Sequence, residues 1–145
     1  MNENLKFLKE VFESESLPEE SLPEFVFWGR SNVGKSSLIN SITKSKIAKT
    51  SKTPGRTRSL VFFEFEKKIR IIDFPGYGYS KIPKYNEFKI DRLIENYLTQ
   101  RQVLKFIFLL IDARHGIMEI DKKILDQLDK ILGRKVIIIF TKIDK

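Results

Sequence analysis

The chain has 145 residues, no cysteine and a formal net charge of +8 at pH 7. This size predicts one domain with a single core, and the missing thiols exclude disulfides and thiolate metal sites. The longest apolar run, residues 106–111, is too short to span a bilayer, and charged residues interrupt the first twelve, unlike a signal peptide. We expect a soluble, cytoplasmic protein with no membrane partner.

The charge is unevenly distributed along the chain. Residues 1–23 carry a net charge of −4, and residues 24–145 carry +12. A basic body favours a polyanionic partner such as RNA. A biased genome also produces a lysine-rich composition, so charge alone leaves both explanations open.

The predicted elements form an acidic arm followed by alternating strands and helices. The arm, residues 1–23, is predicted to be a short helix and a linker. From residue 24 onward the alternation predicts an α/β fold with a mostly parallel sheet. The predicted strands are Phe25–Trp28, Ser59–Glu66, Lys68–Asp73, Lys105–Asp112 and Lys135–Thr141. The predicted helices are Lys35–Thr43, about Asn86–Arg101 and Ile120–Leu132.

Two details refine these elements. The strand Ser59–Glu66 begins to alternate between apolar and acidic residues, which predicts an edge strand joined to the next strand as a hairpin through Lys67 and Lys68. Gly133 is predicted to cap the last helix.

The first predicted strand leads into a phosphate-binding pattern. Residues 29–36 fit G-x-x-x-x-G-K-[ST]; they are Gly29, Arg30, Ser31, Asn32, Val33, Gly34, Lys35 and Ser36. Backbone amides and a helix N-terminus in such a loop bind phosphate oxygens. Gly29 and Gly34 are predicted to adopt backbone angles closed to other residues, Lys35 to reach the outer phosphates, and Ser36 to ligate magnesium. A simple Gly-containing turn is disfavoured by the strand before it and the helix after it.

A basic segment follows the first helix. Residues 43–59 contain six basic residues and no acidic one: Lys44, Lys46, Lys49, Lys52, Arg56 and Arg58. Within it, the run from Lys52 to Thr57 resembles a switch segment whose threonine hydroxyl completes a magnesium shell when a third phosphate is bound. A solvated basic loop is the alternative, and it can coexist with a switch.

Asp73, Phe74, Pro75 and Gly76 follow the third predicted strand. A carboxylate there can hold a magnesium-bound water, and Gly76 lets a backbone N–H approach a terminal phosphate. Aspartate followed by Pro-Gly is also common in turns. Its position after the phosphate-binding pattern favours the functional interpretation.

Thr141, Lys142, Ile143 and Asp144 end the last predicted strand. The Asp144 carboxylate can accept two hydrogen bonds from guanine, a match that adenine lacks. The stem of Lys142 can cover the base, while Thr141 is expected to tie this loop to the phosphate-binding loop. A plain charged loop is the alternative. His115, the only histidine, is predicted to be a surface residue and not a catalyst.

The order of these motifs resembles the P-loop GTPases. GRSNVGKSSLIN, SKTPGRT, DFPGYGYSK, and DARHG with TKIDK are similar to the EngB family (also called YihA or YsxC) of bacterial ribosome-assembly GTPases. The resemblance covers about residue 22 to the end and implies a three-layer GTPase domain over residues 24–145. The positions implied to contact GTP or GDP are Gly29–Ser36, Gly55, Arg56, Thr57, Arg58, Ser59, Asp73, Phe74, Pro75, Gly76, Thr141, Lys142, Ile143 and Asp144.

The resemblance also implies chemistry and partners. It places Mg²⁺ ligands at Ser36 and Thr57, catalytic roles at Lys35, Thr57, Gly76 and Asn32, and a K⁺ ion beside Asn32. Tyr77 stands where many GTPases carry a water-orienting glutamine, which implies slow hydrolysis. The implied partner is the large ribosomal subunit or its precursor, with effects on cell division and septation, and we expect a monomer.

Two other functions remain open. One is a ribosome- or rRNA-binding module in which GTP fixes the conformation without significant hydrolysis. The other, a P-loop ATPase or small-molecule kinase, is disfavoured by Asp144.

The chain departs from the family pattern in two places. It stops at Lys145, where related proteins continue, so we expect the last strand and helix of the domain to be missing, through natural truncation or fragmentation. This is expected to weaken base affinity and to leave the last predicted strand as an exposed edge. Trp28 is bulkier than the small apolar residue expected at its position.

Overall fold

Six strands and three helices form the fold of the chain in a computed structural model, which describes residues 4–48, 58–78, 84–132 and 135–144. The strands are β1 Leu5–Val11, β2 Glu24–Gly29, β3 Leu60–Phe65, β4 Ile69–Asp73, β5 Leu104–Asp112 and β6 Lys135–Thr141. The α-helices are α1 Lys35–Thr43, α2 Lys84–Gln100 and α3 Glu119–Leu132, and a short 3-10 helix covers Ser14–Ser16. All elements predicted from residue 24 onward are present, with ends within two residues of those observed. Gly133 lies outside the described residues.

The N-terminal arm corrects the first prediction. The short helix predicted in the arm is limited to a single 3-10 turn, Ser14–Ser16, whereas Leu5–Val11 is a strand that pairs antiparallel with β3, from Leu5 opposite Phe65 to Val11 opposite Leu60. Leu5 and Val11 are fully buried, so burial at both ends of the strand, together with the hydrogen-bonding groups of β3, outweighs the helix-like composition. The predicted edge position of β3 is therefore also wrong, because β1 covers that edge.

The predicted hairpin between β3 and β4 is confirmed. These strands pair antiparallel, and Lys68 donates its N–H to the Phe65 carbonyl at 3.0 Å. Glu66 and Lys67 both have positive φ angles, 51° and 56°. Two such central residues match a tight turn whose twist suits the flanking strands, and they place its centre one residue earlier than predicted.

The sheet is mixed and has the strand order β1-β3-β4-β2-β5-β6. Three neighbouring pairs are parallel (β4–β2, β2–β5 and β5–β6) and two are antiparallel. β6 forms the outer edge of the described sheet, as expected, and Phe140 on it is half exposed. The α/β class is confirmed.

Two apolar clusters place the helices on opposite faces of the sheet. Val26 and Trp28 of β2 pack in one cluster with residues of α2 and α3, including Leu93 and Leu128. Phe27, between them in sequence, packs with Ile39 of α1 in the other. Successive side chains of a strand face opposite sides, so the burial of both faces creates the three layers.

The base of the sheet is held by a buried carboxylate. Glu24, at the start of β2, is fully buried and accepts hydrogen bonds from Arg101 at 2.9 and 2.8 Å, Arg70 at 3.1 Å and the Tyr97 hydroxyl at 2.8 Å. Arg101 also donates to the carbonyl of Pro18 at 2.7 Å. This network fixes the end of the arm beneath the parallel strands.

The strand order creates a crevice at the opposite end. β2 lies between β4 and β5, so the chain leaves β2 on one side and later returns on the other. Ligands of such sheets bind outside the carboxyl ends of the strands, where this reversal occurs. Among the described helices, none is sufficiently long and apolar to cross a membrane.

Candidate functional site

The predicted phosphate loop, residues 29–36, joins β2 to α1 as a strand-loop-helix unit. Gly34 precedes the helix with φ of 99°, a conformation that other residues rarely adopt. Glycine has no side chain to cap the helix, and the first turn of α1, which is described in full, contains no acidic residue. This N-terminus is therefore suited to an anion.

Gly29 is required for a different reason from the one predicted. Its φ is not positive, and a Cβ atom there would lie 2.8 Å from the Leu110 carbonyl oxygen and 3.0 Å from Val33 Cγ1. The prediction of special backbone angles therefore holds for Gly34, while Gly29 allows β2 and β5 to approach closely.

Lys35 and Asp73 form an ion pair at the end of the sheet. Asp73 ends β4, and its register opposite Phe27 of β2 places it beside the phosphate loop. Both side chains are 13% exposed. The structure thus brings together the ammonium predicted to meet the outer phosphates and the carboxylate predicted to act near magnesium.

Gly76 lies directly against the phosphate loop. A Cβ atom on Gly76 would lie 2.9 Å from both the N and Cα atoms of Ser31. The next residue, Tyr77, donates its N–H to the Gly29 carbonyl at 3.1 Å, and its own carbonyl accepts the Ser31 N–H at 3.2 Å. Residues 73–77 and the phosphate loop are thereby joined by main-chain hydrogen bonds.

The contacts of Trp28 explain why a large side chain occupies this position. Its indole N–H donates to the Pro75 carbonyl at 3.1 Å, and its ring meets the rings of Phe74 and Tyr77 edge-on, with centroids 5.3 and 5.6 Å apart. A small apolar residue could neither fill this space nor donate that bond. Phe74 and Pro75, predicted to contact the nucleotide, are thus supported from below by β2.

The Tyr77 side chain is buried in the core between the sheet and helices α2 and α3. It is 8% exposed, and its hydroxyl donates to Asp121 Oδ1 at 2.5 Å. Burial, reinforced by the hydrogen bond to Asp121, raises the pKa of Tyr77 well above its usual range. The side chain at the usual glutamine position is therefore engaged in the core.

The predicted base-reading motif, residues 141–144, is attached to the phosphate loop at two points. The Thr141 hydroxyl donates to the Val33 carbonyl at 2.8 Å, as expected, and Lys142 Nζ donates to the Asn32 carbonyl at 2.8 Å. The Lys142 stem passes over Gly34, with Cε 3.8 Å from where a Cβ would be. Asp144 follows in an exposed turn, and Ile143 is 79% exposed.

Asp112, at the end of β5, was not predicted as a site residue. Its carboxylate accepts hydrogen bonds from Arg114 at 2.7 to 3.3 Å and lies 3.7 Å from Lys142 Nζ. The hydrogen bonds from Arg114 hold the pKa of Asp112 far below its usual range. The sequence Asp-Ala-Arg-His-Gly could have indicated Asp112 as a site residue, because it begins at the carboxyl end of β5, a strand parallel to β2. His115 is 57% exposed, which confirms it as a surface residue.

The predicted switch segment, Lys52–Thr57, lies outside the described residues, and with it the implied nucleotide contacts Gly55, Arg56 and Thr57. The implied contacts Arg58 and Ser59, directly after it, are described. Arg58 is half-buried. Ser59 is buried, and its hydroxyl donates to Glu10 Oε1 of β1 at 2.7 Å, so the structure places that hydroxyl in the β1–β3 pairing.

The donor set fits a magnesium ion that is held mainly by a nucleotide. Among the described residues no group of three or more His, Cys, Asp and Glu side chains could hold a metal. Ser36 and Asp73 offer hydroxyl and carboxylate oxygens, which magnesium prefers, and this ion usually takes one or two protein ligands together with phosphates and water.

Comparison with known proteins identifies relatives over nearly the whole chain. A family model described as "50S ribosome-binding GTPase" matches residues 24–142. The "Probable GTP-binding protein EngB" of Metamycoplasma arthritidis is 48% identical over 140 residues, which are 97% of this chain and 76% of the relative.

Solved structures show the same fold. The crystal structure of a probable GTP-binding protein engB aligns with a TM-score of 0.64 and 30% identity, over 83% of this chain and 71% of that one. Era in complex with MgGDPNP and nucleotides 1506–1542 of 16S ribosomal RNA aligns with a TM-score of 0.61 and 26% identity, over 88% of this chain and 42% of that one.

Proposed function

Because the chain belongs to the EngB family of GTP-binding proteins and carries a GTPase domain over residues 24–142, we propose that it is a magnesium-dependent GTPase switch that acts in assembly of the large ribosomal subunit. One observation carries this proposal. The phosphate loop, residues 73–77 and residues 141–144 meet at one end of the sheet and are joined by hydrogen bonds.

Guanine selection is assigned to the turn after β6. The Asp144 carboxylate accepts the two N–H groups on one edge of guanine, and the Lys142 stem covers the base plane. The contacts of Thr141 and Lys142 with Val33 and Asn32 support this proposal, because they set the base-reading turn at a fixed place relative to the phosphates.

Phosphate binding is assigned to the loop amides, Lys35 and a magnesium ion. Lys35 would neutralise charge on the outer phosphates, Ser36 and Thr57 would ligate the ion, and the Asp73 carboxylate would hold a water bound to it. Hydrolysis then depends on positioning and charge neutralisation, with no covalent intermediate. Since the Tyr77 side chain is committed to the core, we propose a slow intrinsic rate that a K⁺ ion beside Asn32 or a bound particle raises.

The large ribosomal subunit or its precursor is the proposed partner. The family model that matches is named for 50S binding, and the similar Era structure contains 16S ribosomal RNA. The body of the chain carries +12, which suits the phosphates of rRNA. We propose that the protein acts as a cytoplasmic monomer and that effects on cell division and septation follow from defective ribosome assembly.

A second function is favoured by the burial of Tyr77. If no group of the chain orients the attacking water, GTP would serve only to fix a conformation that binds the ribosome, without significant hydrolysis. This binding module would belong to the same family and use the same site as the GTPase switch, and the two would differ only in GTP turnover.

Multiple-turnover GTP hydrolysis, measured with and without large-subunit particles, tests the proposal. We expect slow release of phosphate from the chain alone, faster release with particles, and none from a Lys35→Ala variant in either condition. If GTP binds and the particles bind, but phosphate release stays at the level of the Lys35→Ala variant, the binding module is correct and the GTPase switch is not.

A further inference from the structure

Tyr77 is held by three parts of the fold: the start of the phosphate loop, helix α3 and strand β2. Its N–H and C=O are hydrogen-bonded to Gly29 and Ser31 at the start of the phosphate loop. Its hydroxyl is hydrogen-bonded to Asp121 in the first turn of α3. Its ring packs edge-on against Trp28, with planes at 90°. The residue directly after Gly76 is therefore fixed through both its main chain and its side chain.

Asp121 is an unusual acidic residue for the first turn of a helix. It is the third residue of α3, and its Oδ2 accepts the backbone N–H of Met118, the residue before the helix, at 2.8 Å. This is one of the two hydrogen bonds of a capping box. Its other oxygen accepts the Tyr77 hydroxyl at 2.5 Å. Helix-capping acids usually face solvent, yet Asp121 is 1% exposed. Capping alone does not require this burial, whereas contact with Tyr77 does.

Gly76 lies between two such supports. Before it, the Pro75 carbonyl accepts the indole N–H of Trp28; after it, Tyr77 is held by Asp121. Gly76 itself is packed so closely on Ser31 that a Cβ would lie 2.9 Å from the Ser31 nitrogen. The direction of the Gly76 N–H is thus set by its neighbours, because glycine has no side chain of its own to fix it.

We propose that Asp121 is a positioning residue for the third phosphate: acting through the Tyr77 hydroxyl, it holds Gly76 where the Gly76 N–H meets the terminal phosphate of GTP. This inference rests on the proposed function, since it requires a guanine nucleotide on the phosphate loop. GDP lacks the third phosphate and makes no contact with Gly76. Asp121 therefore contributes to discrimination between GTP and GDP, and not to nucleotide binding in general.

Tyr77→Phe is the direct test, because it keeps the ring against Trp28 and removes only the hydroxyl. Titration with GDP and with GDPNP, a non-hydrolysable GTP analogue, gives the two dissociation constants. We expect GDPNP to bind about threefold to tenfold more weakly than to the unmodified chain, the range of one buried hydrogen bond. GDP affinity is expected to stay within about twofold, since only a contact with the third phosphate is disturbed.

Tyr97→Phe is a matched control. Tyr97 is also buried, and its hydroxyl donates to the buried Glu24 carboxylate at 2.8 Å, but Glu24 lies at the opposite end of β2. Both variants lose the same kind of hydrogen bond, so both should lower the melting temperature. Only Tyr77→Phe is expected to change the ratio of GDPNP to GDP affinity.

Asp121→Ala removes the same hydrogen bond from the other side and supplies a second variant if the tyrosine variant does not fold. It should weaken GDPNP binding in the same direction. In the double variant the loss should be no greater than in the more affected single variant, because two residues that act through one contact are not additive.

The outcomes separate the inference from the proposed function. The inference is wrong, and Asp121 has a structural role only, if Tyr77→Phe and Asp121→Ala leave the ratio of GDPNP to GDP affinity unchanged. The same holds if they weaken the binding of GDP and GDPNP equally, or if they strengthen GDPNP binding. If the unmodified chain binds neither GDP nor GDPNP, the proposed function fails and the inference fails with it.

Discussion

The Thr141 hydroxyl donates a hydrogen bond to the Val33 carbonyl oxygen at 2.8 Å and so joins the end of β6 to the phosphate loop across 108 residues of chain. Lys142 repeats the connection one residue later, at the Asn32 carbonyl. A nucleotide whose phosphates lie on the loop would thus meet its base-reading turn at a predetermined distance. These two bonds fix the position of the turn proposed to read the base relative to the phosphate loop.

The first prediction concerns the base. Asp144→Asn should shift the preference of the chain from GTP toward xanthosine triphosphate, because the exocyclic group of xanthine at position 2 is an acceptor that an amide N–H can meet. Competition of GTP, ATP and xanthosine triphosphate for a labelled nucleotide measures the shift. Asp129→Asn, an exposed change on α3, is the control. Equal affinity of the unmodified chain for ATP and GTP would contradict the assignment of Asp144.

The second prediction concerns the phosphates. Lys35→Ala should weaken GTP and GDP binding by about 30-fold to 1,000-fold, the usual effect of truncating one partner of a buried charge contact. It also leaves the largely buried Asp73 carboxylate without its ion pair. Fluorescence titration with a labelled nucleotide measures the loss. Lys123→Ala removes an exposed lysine of α3 and should bind nucleotide normally; unchanged affinity in Lys35→Ala would refute the phosphate-loop assignment.

The third prediction concerns the ribosome. Binding to large-subunit particles should depend on the third phosphate and fall steeply with salt, because each contact with an rRNA phosphate releases counterions. Replacing both Lys46 and Lys49 by Glu should weaken particle binding and leave nucleotide affinity nearly unchanged, since neither residue belongs to a nucleotide motif. Co-sedimentation in GDP and in GDPNP, at low and moderate salt, measures both effects.

The control for charge is a double reversal of Lys123 and Lys130 to Glu. Both lysines are exposed on α3. This variant therefore has the same net charge as the Lys46 and Lys49 double variant but keeps the basic segment intact. Identical, salt-insensitive binding in the two nucleotide states, or equal loss in the two double variants, would show that the basic segment does not contact rRNA.

The fourth prediction concerns alkaline pH. Burial raises the pKa of Tyr77 well above its usual value, whereas in the unfolded chain the phenol ionises near pH 10. Above about pH 10 the unfolded state releases this proton and the folded state does not, so the free energy of unfolding should fall as pH rises. In Tyr77→Phe that fall should be smaller. Urea unfolding at about pH 9 and about pH 11 measures the fall in the free energy of unfolding for the unmodified chain and for Tyr77→Phe. An equal fall in the two proteins would mean that the Tyr77 phenol is exposed to water in the folded state.

The elements and motifs that depend on local sequence were predictable. Helix α1 has the predicted bounds, because a Gly-Lys-Ser pattern and apolar residues at helical spacing act within one turn of each other. The hairpin and the run of parallel strands followed in the same way from apolar runs and short connections. The phosphate loop also lies where its pattern predicts, at the junction of β2 and α1.

The arm could not be predicted in this way. Local composition favours a helix for residues near Leu5 and Val11, but a strand forms because β3, 49 to 60 residues later, offers an unpaired edge. The stability of a strand depends on its neighbours more than on its own propensity, and those neighbours are unknown until the sheet is assembled.

Sequence by itself determined which residues are the candidates for the chemistry: Lys35, Asp73, Gly76 and Asp144 stand in patterns whose spacing suits the binding of phosphate and guanine. Only the tertiary structure decided how these residues are held. Trp28 supports Pro75 across 47 residues, and Asp121 holds Tyr77 across 44, contacts that no local spacing encodes. The physical reason is that a motif fixes backbone geometry over a few residues, whereas the position of one motif relative to another depends on buried side chains that meet only after the sheet and helices have packed.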